Sequence, residues 1–474
     1  MVRDAPGLWP GGQAGMRGGV VTLREIVRYA GTLYGANALA SLITLGITVM
    51  LGRDLSRADL GLYGLFQVYF LFGSYATSAG LPSATVKWVA GRTIDDGEFL
   101  HFIVVRLLVI AVVLYASAAV AVWLGDTILG AALFALPAFH VFNITLSAAR
   151  ARLKRRTEAG LLVAASLATS LWMFVLLADM HNEWAAIGGQ VIGAYTTALV
   201  VLVVALRWKL PRPKRPGNWR AAFWRTARPV FLGSTVFALG DLADRVLVQH
   251  MLGLKALGTY VMALMLFGVL NKPVHMLSRV LLSHFSQAAG RVPDAKAGDI
   301  VRLNLFTLPF MALMAAAALP WLLPFVVHRN YAPAFPVLAV MTAVILVKAF
   351  ELVHSTLAVA RDSAASNLRA QCFALFVYAA LIIPMVRGFG LLGVAWAVVL
   401  RWLALAIFQR RDMLRRGVQV LPMGLLARAG AVYMAALALF PVAPWWMGIT
   451  YLVGGAVARL WSIPQAVSLV SGRI

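Results

Sequence analysis

Three charged residues stand near the middle of an otherwise apolar stretch: Asp241, Asp244 and Arg245, between Pro229 and Gly253. At about 1.5 Å per helical residue, this stretch can cross the roughly 30 Å hydrocarbon core of a bilayer. A charge at that depth costs about 2.5–3.5 kcal/mol on insertion scales, so it needs a partner or a wet cavity. Spacings of three and four residues put all three on one helix face, and Asp241 is spaced to pair with Arg245. Two chemistries fit: a salt bridge that fixes helix packing, or a polar interior that a solute crosses. Apolar runs elsewhere hold Lys272, Lys348, Glu351, Arg401 and Arg459. Lys348 and Glu351 are three residues apart and can neutralise each other. Lys272 precedes Pro273, whose missing N–H commonly kinks a helix, and His275 and Arg279 continue its face. The cavity candidates are therefore Lys272, Arg401, Arg245 and Lys348, with Asp241, Asp244 and Glu351 as charge-pair or ion-coupling residues.

These residues gather in the second half of the chain. The first half offers Gln67, Thr77, Ser78, His140, Asn143 and Gln190, all uncharged or nearly so at neutral pH. Arg106 and Lys87 fall near the ends of apolar runs, His140 reads as a packing histidine, and Gly188-Gly189 permits close helix approach.

The elements that must position them are membrane spans. Of the 474 residues, 61% are hydrophobic and 13% charged, and apolar runs recur from end to end, which indicates a polytopic all-α membrane protein. Fourteen spans are expected: 29–51, 60–85, 102–123, 128–148, 159–178, 184–206, 229–252, 256–282, 304–327, 335–358, 371–386, 389–408, 429–444 and 449–470. The shortest, 371–386, carries Pro384 and is a candidate for tilting or breaking. A net charge of +24 in a soluble chain would suggest nucleic acid. Here the basic residues crowd into alternate loops, and only Arg53, Arg57, Lys255, Arg329 and Arg387 fall in the intervening ones. That bias puts both termini on the cytoplasmic side, and no nucleic acid partner is implied. The polar, Gly-rich N-terminus lacks the apolar core of a cleaved signal peptide. Cys372 is the single cysteine, so there is no disulfide framework or thiol metal site; no metal or cofactor is expected.

The chain also repeats itself. Met50-Leu51-Gly52 then Leu60-Gly61-Leu62-Tyr63 returns as Met251-Leu252-Gly253 then Leu257-Gly258-Thr259-Tyr260; Thr145-Leu146 and Ala149-Arg150 return as Thr356-Leu357 and Ala360-Arg361. Offsets of about 200 residues fit a repeated six-span unit, with the repeat axis along the membrane normal. The expected organisation is a cytoplasmic segment 1–28, an N-lobe 29–206, a basic linker 207–228, a C-lobe 229–408, a basic loop 409–428, and two C-terminal spans with the tail, 429–474. The linker holds eight Lys or Arg, no acid, and Pro211, Pro213 and Pro216, which suits an ordinary topology signal or contact with anionic lipid headgroups.

The run from Gly52 to Tyr63 and then Gly80-Leu81-Pro82-Ser83-Ala84 resembles the opening of the polysaccharide-lipid flippases, the O-antigen and exopolysaccharide transporters of the multidrug/oligosaccharidyl-lipid/polysaccharide exporter superfamily. The run from Leu242 to Val248, with Leu257-Gly258-Thr259-Tyr260, is similar to the start of their second half. Tyr331-Ala332-Pro333-Ala334-Phe335 and the run from Gly388 to Ala395 share the look of that family. The resemblance covers about residues 20–410. It implies two six-helix lobes around a central cavity, which the repeat relates by a pseudo-two-fold; the two C-terminal spans match the family only in number. It also implies transfer of an undecaprenyl-diphosphate-linked oligosaccharide to the periplasmic leaflet of the bacterial inner membrane, for lipopolysaccharide or exopolysaccharide assembly. The partners so implied are that anionic glycolipid, membrane lipids, and a polysaccharide polymerase and chain-length regulator. The transport unit is expected to be monomeric, since each lobe lines the cavity with its own helices.

A cationic midplane would compensate the diphosphate, and a cytoplasm-negative potential favours moving each negative charge outward by about 2.3 kcal/mol per 100 mV. Asp241 or Glu351 offers the alternative of a coupled proton or sodium ion. Three rival classes differ in what they require. A multidrug or cation exporter of the same superfamily wants a net acidic site. A membrane glycosyltransferase or polymerase wants a sizeable outer loop, a nucleotide-binding or hydrolase motif, or a zinc site, none of which is seen in the sequence. A structural scaffold has no need of charges within its spans. The reading is therefore a transporter and not an enzyme.

Overall fold

The computed structural model describes residues 23–78, 96–151, 155–206, 220–287, 294–322, 329–360, 364–415 and 423–458. Expectations that fall on Gly80 to Ala84, Lys87, residues 207–219 of the linker, Arg361 or Arg459 lie outside those residues, as does the Arg279 side chain. Among the described residues there are thirteen α-helices and no strand. They are α1 (Leu23–Asp54), α2 (Arg57–Ser78), α3 (Asp96–Trp123), α4 (Thr127–Ala151), α5 (Arg155–Met180), α6 (Glu183–Leu206), α7 (Arg220–Leu252), α8 (Leu254–Gln287), α9 (Asp294–Leu322), α10 (Ala334–Ala360), α11 (Ala364–Arg415), α12 (Met423–Ala438) and α13 (Trp446–Val457), with a single 3-10 turn at Arg329–Tyr331.

Short turns close the described hairpins, each written in local chemistry. Ser56 and Asp59 cap the start of α2 reciprocally: the Asp59 N–H donates to Ser56 Oγ (3.2 Å) and the Ser56 N–H to Asp59 Oδ2 (3.3 Å). Gly125, at φ +90°, ends α3 in the left-handed region, and Asp126 Oδ1 then accepts from the Leu129 N–H (2.9 Å) to start α4. His181 and Asn182 repeat the device between α5 and α6, and Gly253 ends α7.

The helices pack in two groups. In the first, α5 lies against α6 and α1, and α4 against α2, α3 and α6; in the second, α10 is central, touching α8, α9 and α11, while α11 also packs on α7. The groups meet where α2 lies against α8 and α7, and α1 against α8. The short pair α12 and α13 packs on itself and against α9 and α10.

Eight described stretches are long and apolar enough to cross a membrane, fewer than the fourteen spans expected. The shortfall has physical sources. Helix α7 carries charges, α2 carries Gln67 and several hydroxyls, and α12 and α13 are short. Helix α11 counts once although it is a hairpin: Gly390 (φ 56°, ψ −133°) turns the chain. Its two arms lie side by side, with Ser366 Oγ donating to Asp412 (2.5 Å) and Gln409 Nε2 to Asn367 Oδ1 (3.0 Å). The break expected near Pro384 is thus at Gly390; the helix runs on through Pro384, as α8 runs on through Pro273.

Candidate functional site

Helix α7 has a lipid face and a polar face. Leu232, Leu239 and Val246 recur every seven residues and are exposed, marking the side turned to hydrocarbon. Asp241, Asp244, Arg245 and Phe237 lie on the opposite side, about 140–240° around the helix at 3.6 residues per turn. Asp241 pairs with Arg401 of α11 and not with Arg245, which corrects the pairing expected from spacing. The cross-helix pair wins because Arg401 is 4% exposed and an unpartnered guanidinium there would be a buried naked charge. The Asp241 side chain is 41% exposed, so the pair has one dry and one open end. Gly240 makes room for it: a Cβ built there falls 2.8 Å from Arg401 Nη1. The guanidinium carbon sits 5.6 Å from the Phe237 ring, 5.7 Å from Tyr378 and 5.8 Å from Trp402, a cation–π surround that suits arginine.

Asp244 is buried one turn further along α7. It accepts from the Tyr260 hydroxyl (2.5 Å) and from the Arg245 backbone N–H (2.7 Å). Its carboxylate is thereby engaged. The Arg245 side chain is left over: Nε and Nη1 are buried and find no protein acceptor, and the same holds for Arg401 Nη1 and Tyr378 Oη. Buried donors without acceptors are rare in folded proteins. All three side chains belong to this one wall of the second group.

The Lys348 ammonium lies over the Trp402 ring (4.2 Å) and near that of Phe267 (5.9 Å), so aromatic contact is added to the electrostatic attraction of Glu351. Glu351 faces Gln409 and Ser355, at the edge of the polar contacts between the α11 arms. Arg401, Lys348 and Trp402 thus form one cluster with Asp241. Lys272 looks elsewhere, across to the first group, where its Nζ donates to Thr44 Oγ1 (3.0 Å) and the Ala40 carbonyl (3.4 Å) of α1. Sequence reasoning missed Tyr260, Tyr378, Phe237, Trp402 and Thr44. Tyr260 carried a signal, its place in the repeated motif; the aromatic residues have none that sets them apart from ordinary span residues.

The first group contrasts with this. His140, buried, is hydrogen-bonded to Thr77 Oγ1 (2.5 Å), and Arg106 Nη2 donates to the Thr77 carbonyl (3.1 Å) near the end of α2 while its guanidinium lies 5.6 Å from the Trp224 ring. These contacts tie helices together, although Arg106 Nε is, like the donors of the second group, buried without a protein acceptor. Gly189 lets α5 and α6 touch: a Cβ there falls 2.6 Å from Met173 Cα. The groove of about 1020 Å³ lined by Tyr115, Trp123, Phe134 and Trp184 is apolar and remote in sequence from the charged wall.

Comparison with known proteins agrees with this architecture. The lipid II flippase MurJ in an inward closed conformation superposes with a TM-score of 0.64 at 14% identity, over 93% of this chain and 99% of that one. The MATE multidrug transporter DinF-BH gives 0.64 at 13% identity over 86% and 99%. An outward-facing MATE family multidrug resistance transporter of the MOP superfamily gives 0.59 at 13% identity over 82% and 95%. No curated protein matches the chain. Identities this low show the fold alone: a helical membrane transporter fold shared by MurJ and the MATE proteins. The family follows from sequence, since residues 50–336, more than half of the chain, match the model of the polysaccharide biosynthesis proteins, and the chain belongs to that family.

Proposed function

We propose that the chain moves an anionic lipid-linked oligosaccharide, with undecaprenyl diphosphate as the carrier, from the cytoplasmic to the periplasmic leaflet of a bacterial inner membrane. The observation that carries this reading is the surplus of buried donors on one wall: Arg245 Nε and Nη1, Arg401 Nη1 and Tyr378 Oη have no protein acceptor. A diphosphate is a set of acceptor oxygens with negative charge, and guanidinium groups match it in charge and fork geometry. Membership of the polysaccharide biosynthesis family supports a glycan cargo, and MurJ, named a lipid II flippase, has this fold. The two helix groups alternate access to the wall, and the membrane potential favours outward movement of each negative charge. A polysaccharide polymerase and a chain-length regulator would act on the product, and one copy of the chain suffices as the transport unit.

The second reading, a multidrug or cation exporter, rests on Asp241, whose open carboxylate could meet a cation. One experiment separates the two. In vesicles containing the purified protein, flipping of a fluorescent undecaprenyl-diphosphate oligosaccharide is measured beside uptake of a cationic dye. Arg401→Ala and Arg245→Ala are expected to abolish glycolipid flipping at normal protein abundance. Dye transport that survives in the wild type without any glycolipid flipping would establish the exporter instead, and full flipping activity in both variants would remove the cationic wall from the mechanism.

A further inference from the structure

The repeated motif of the sequence has a structural meaning that the charged wall does not absorb. Leu60-Gly61-Leu62-Tyr63 in α2 and Leu257-Gly258-Thr259-Tyr260 in α8 pack against each other where the two helix groups meet. The contact is reciprocal. A Cβ on Gly61 would fall 2.5 Å from the Leu254 carbonyl oxygen, and one on Gly258 would collide with the carbonyl of Arg57. One offset of 197 residues relates Gly61 to Gly258, Arg57 to Leu254 and Tyr63 to Tyr260. Each glycine therefore meets the backbone one turn ahead of its own counterpart in the other copy. One turn further in, Gly64 faces Val261, and a Cβ on Gly64 would lie 3.4 Å from the Val261 Cβ. Beside this seam the Tyr331 hydroxyl, ahead of α10, donates to the Leu55 carbonyl between α1 and α2 (3.0 Å), with both residues buried. The two tyrosines of the motif differ in what they hold: Tyr63 donates to Gln190 (2.7 Å), whereas Tyr260 donates to the carboxylate of Asp244 (2.5 Å).

We propose that the two Leu-Gly-x-Tyr segments form the outer gate of the transporter, a backbone-to-backbone seam that must part in each cycle and that is tied to the charged wall through Tyr260. This rests on the transport reading above and on the orientation with the N-terminus inside, which puts the Leu55–Ser56 and Gly253 turns outward. Glycine at both positions lets the helices close to backbone contact, so the seal has no side chain to thin it. Opening separates α2 from α8 at its narrowest place. Any shift of the Asp244 carboxylate on the charged wall acts on the seam through a single hydroxyl, that of Tyr260.

The spacing of Gly64 and Val261 is close to the 3.5–4.5 Å between Cβ atoms that a disulfide needs. In a Cys372→Ser background, Gly64→Cys with Val261→Cys is expected to cross-link under oxidant, to arrest flipping, and to recover it on reduction, while either cysteine alone has no oxidant effect. Separately, Val68→Cys, buried on α2 one turn beyond Gly64 and packed against Ala238 and Leu242 of α7, is expected to be shielded from a membrane-impermeant maleimide added outside; adding Gly258→Ala, which props the seam apart, should raise its labelling severalfold. Flipping that continues in the cross-linked protein overturns the gate, as does failure of the pair to cross-link or labelling indifferent to Gly258→Ala. Cross-linking and labelling do not use the glycolipid. If they behave as expected while no variant flips it, the substrate reading fails and the gate stands.

Discussion

Truncating Asp241 leaves Arg401 charged, nearly inaccessible and surrounded by rings, whereas truncating Arg401 leaves a carboxylate that is already half open. The two deletions are therefore unequal. Asp241→Ala is expected to destabilise the fold by about 3–5 kcal/mol and to lower membrane abundance. Arg401→Ala should keep abundance and lose transport, and the double variant Asp241→Ala with Arg401→Ala should recover the abundance lost by the first. Quantitative blotting of membranes checks the order. A rescue by Arg245→Ala in place of Arg401→Ala would show that the i,i+4 pair is the real one. The identities of the charged residues were legible from cost alone, because an ion in a span demands an explanation. Their partners were not, since helical spacing proposes Arg245 for Asp241 and knows nothing of a residue 160 positions away. Likewise spacing gives Lys348 to Glu351 and is silent on the Trp402 ring that packing lays beneath its ammonium.

Helix α11 shows what element-scale reasoning captures. Two spans, 371–386 and 389–408, were expected, and the folded arms on either side of Gly390 match them; the helix is not broken at Pro384. Proline forfeits one hydrogen bond and is tolerated in spans where neighbours satisfy the backbone. Reversal of the chain requires a backbone that L-residues avoid, and Gly390 supplies it with φ +56° and ψ −133°. Close by, a Cβ on Gly393 would strike the Met385 carbonyl, so the turn needs a second glycine for room. Gly390→Ala is expected to lower the unfolding temperature of the detergent-solubilised protein, with a cost of about 1–3 kcal/mol, and to loosen the Asn367–Gln409 contact between the arms. An unchanged melting temperature would show the bend to be relaxed. Helix α10 teaches the complementary lesson. Its hydropathy resembles that of α5, yet nearly all of it is buried by protein while α5 is largely exposed. Hydropathy marks a residue as leaving water and is silent on whether lipid or another helix receives it.

For the whole molecule, the alternation of basic loops with loops poor in Lys and Arg predicts a definite topology. Tags at 125–127, 180–183 and 329–333 are expected to report outside and tags at 212–217 and 410–416 inside, by protease protection in intact cells and inverted vesicles. A tag at 212–217 that reports outside would break the two-group arrangement, since an odd number of crossings would precede the second copy. The grouping was legible because charge bias and repeat offset are independent records of the same duplication. What could not be read was how the copies face each other. That reciprocal glycine contact has one more consequence. A surface that fits its own copy is isologous, the kind by which two identical chains close into a dimer and stop. Each half of this protein therefore carries the means to recognise the other without the basic segment that joins them. Expressed as separate chains, the halves should find one another by the fit of Gly61 and Gly258, and the covalent link serves to fix their ratio and their sidedness in the membrane.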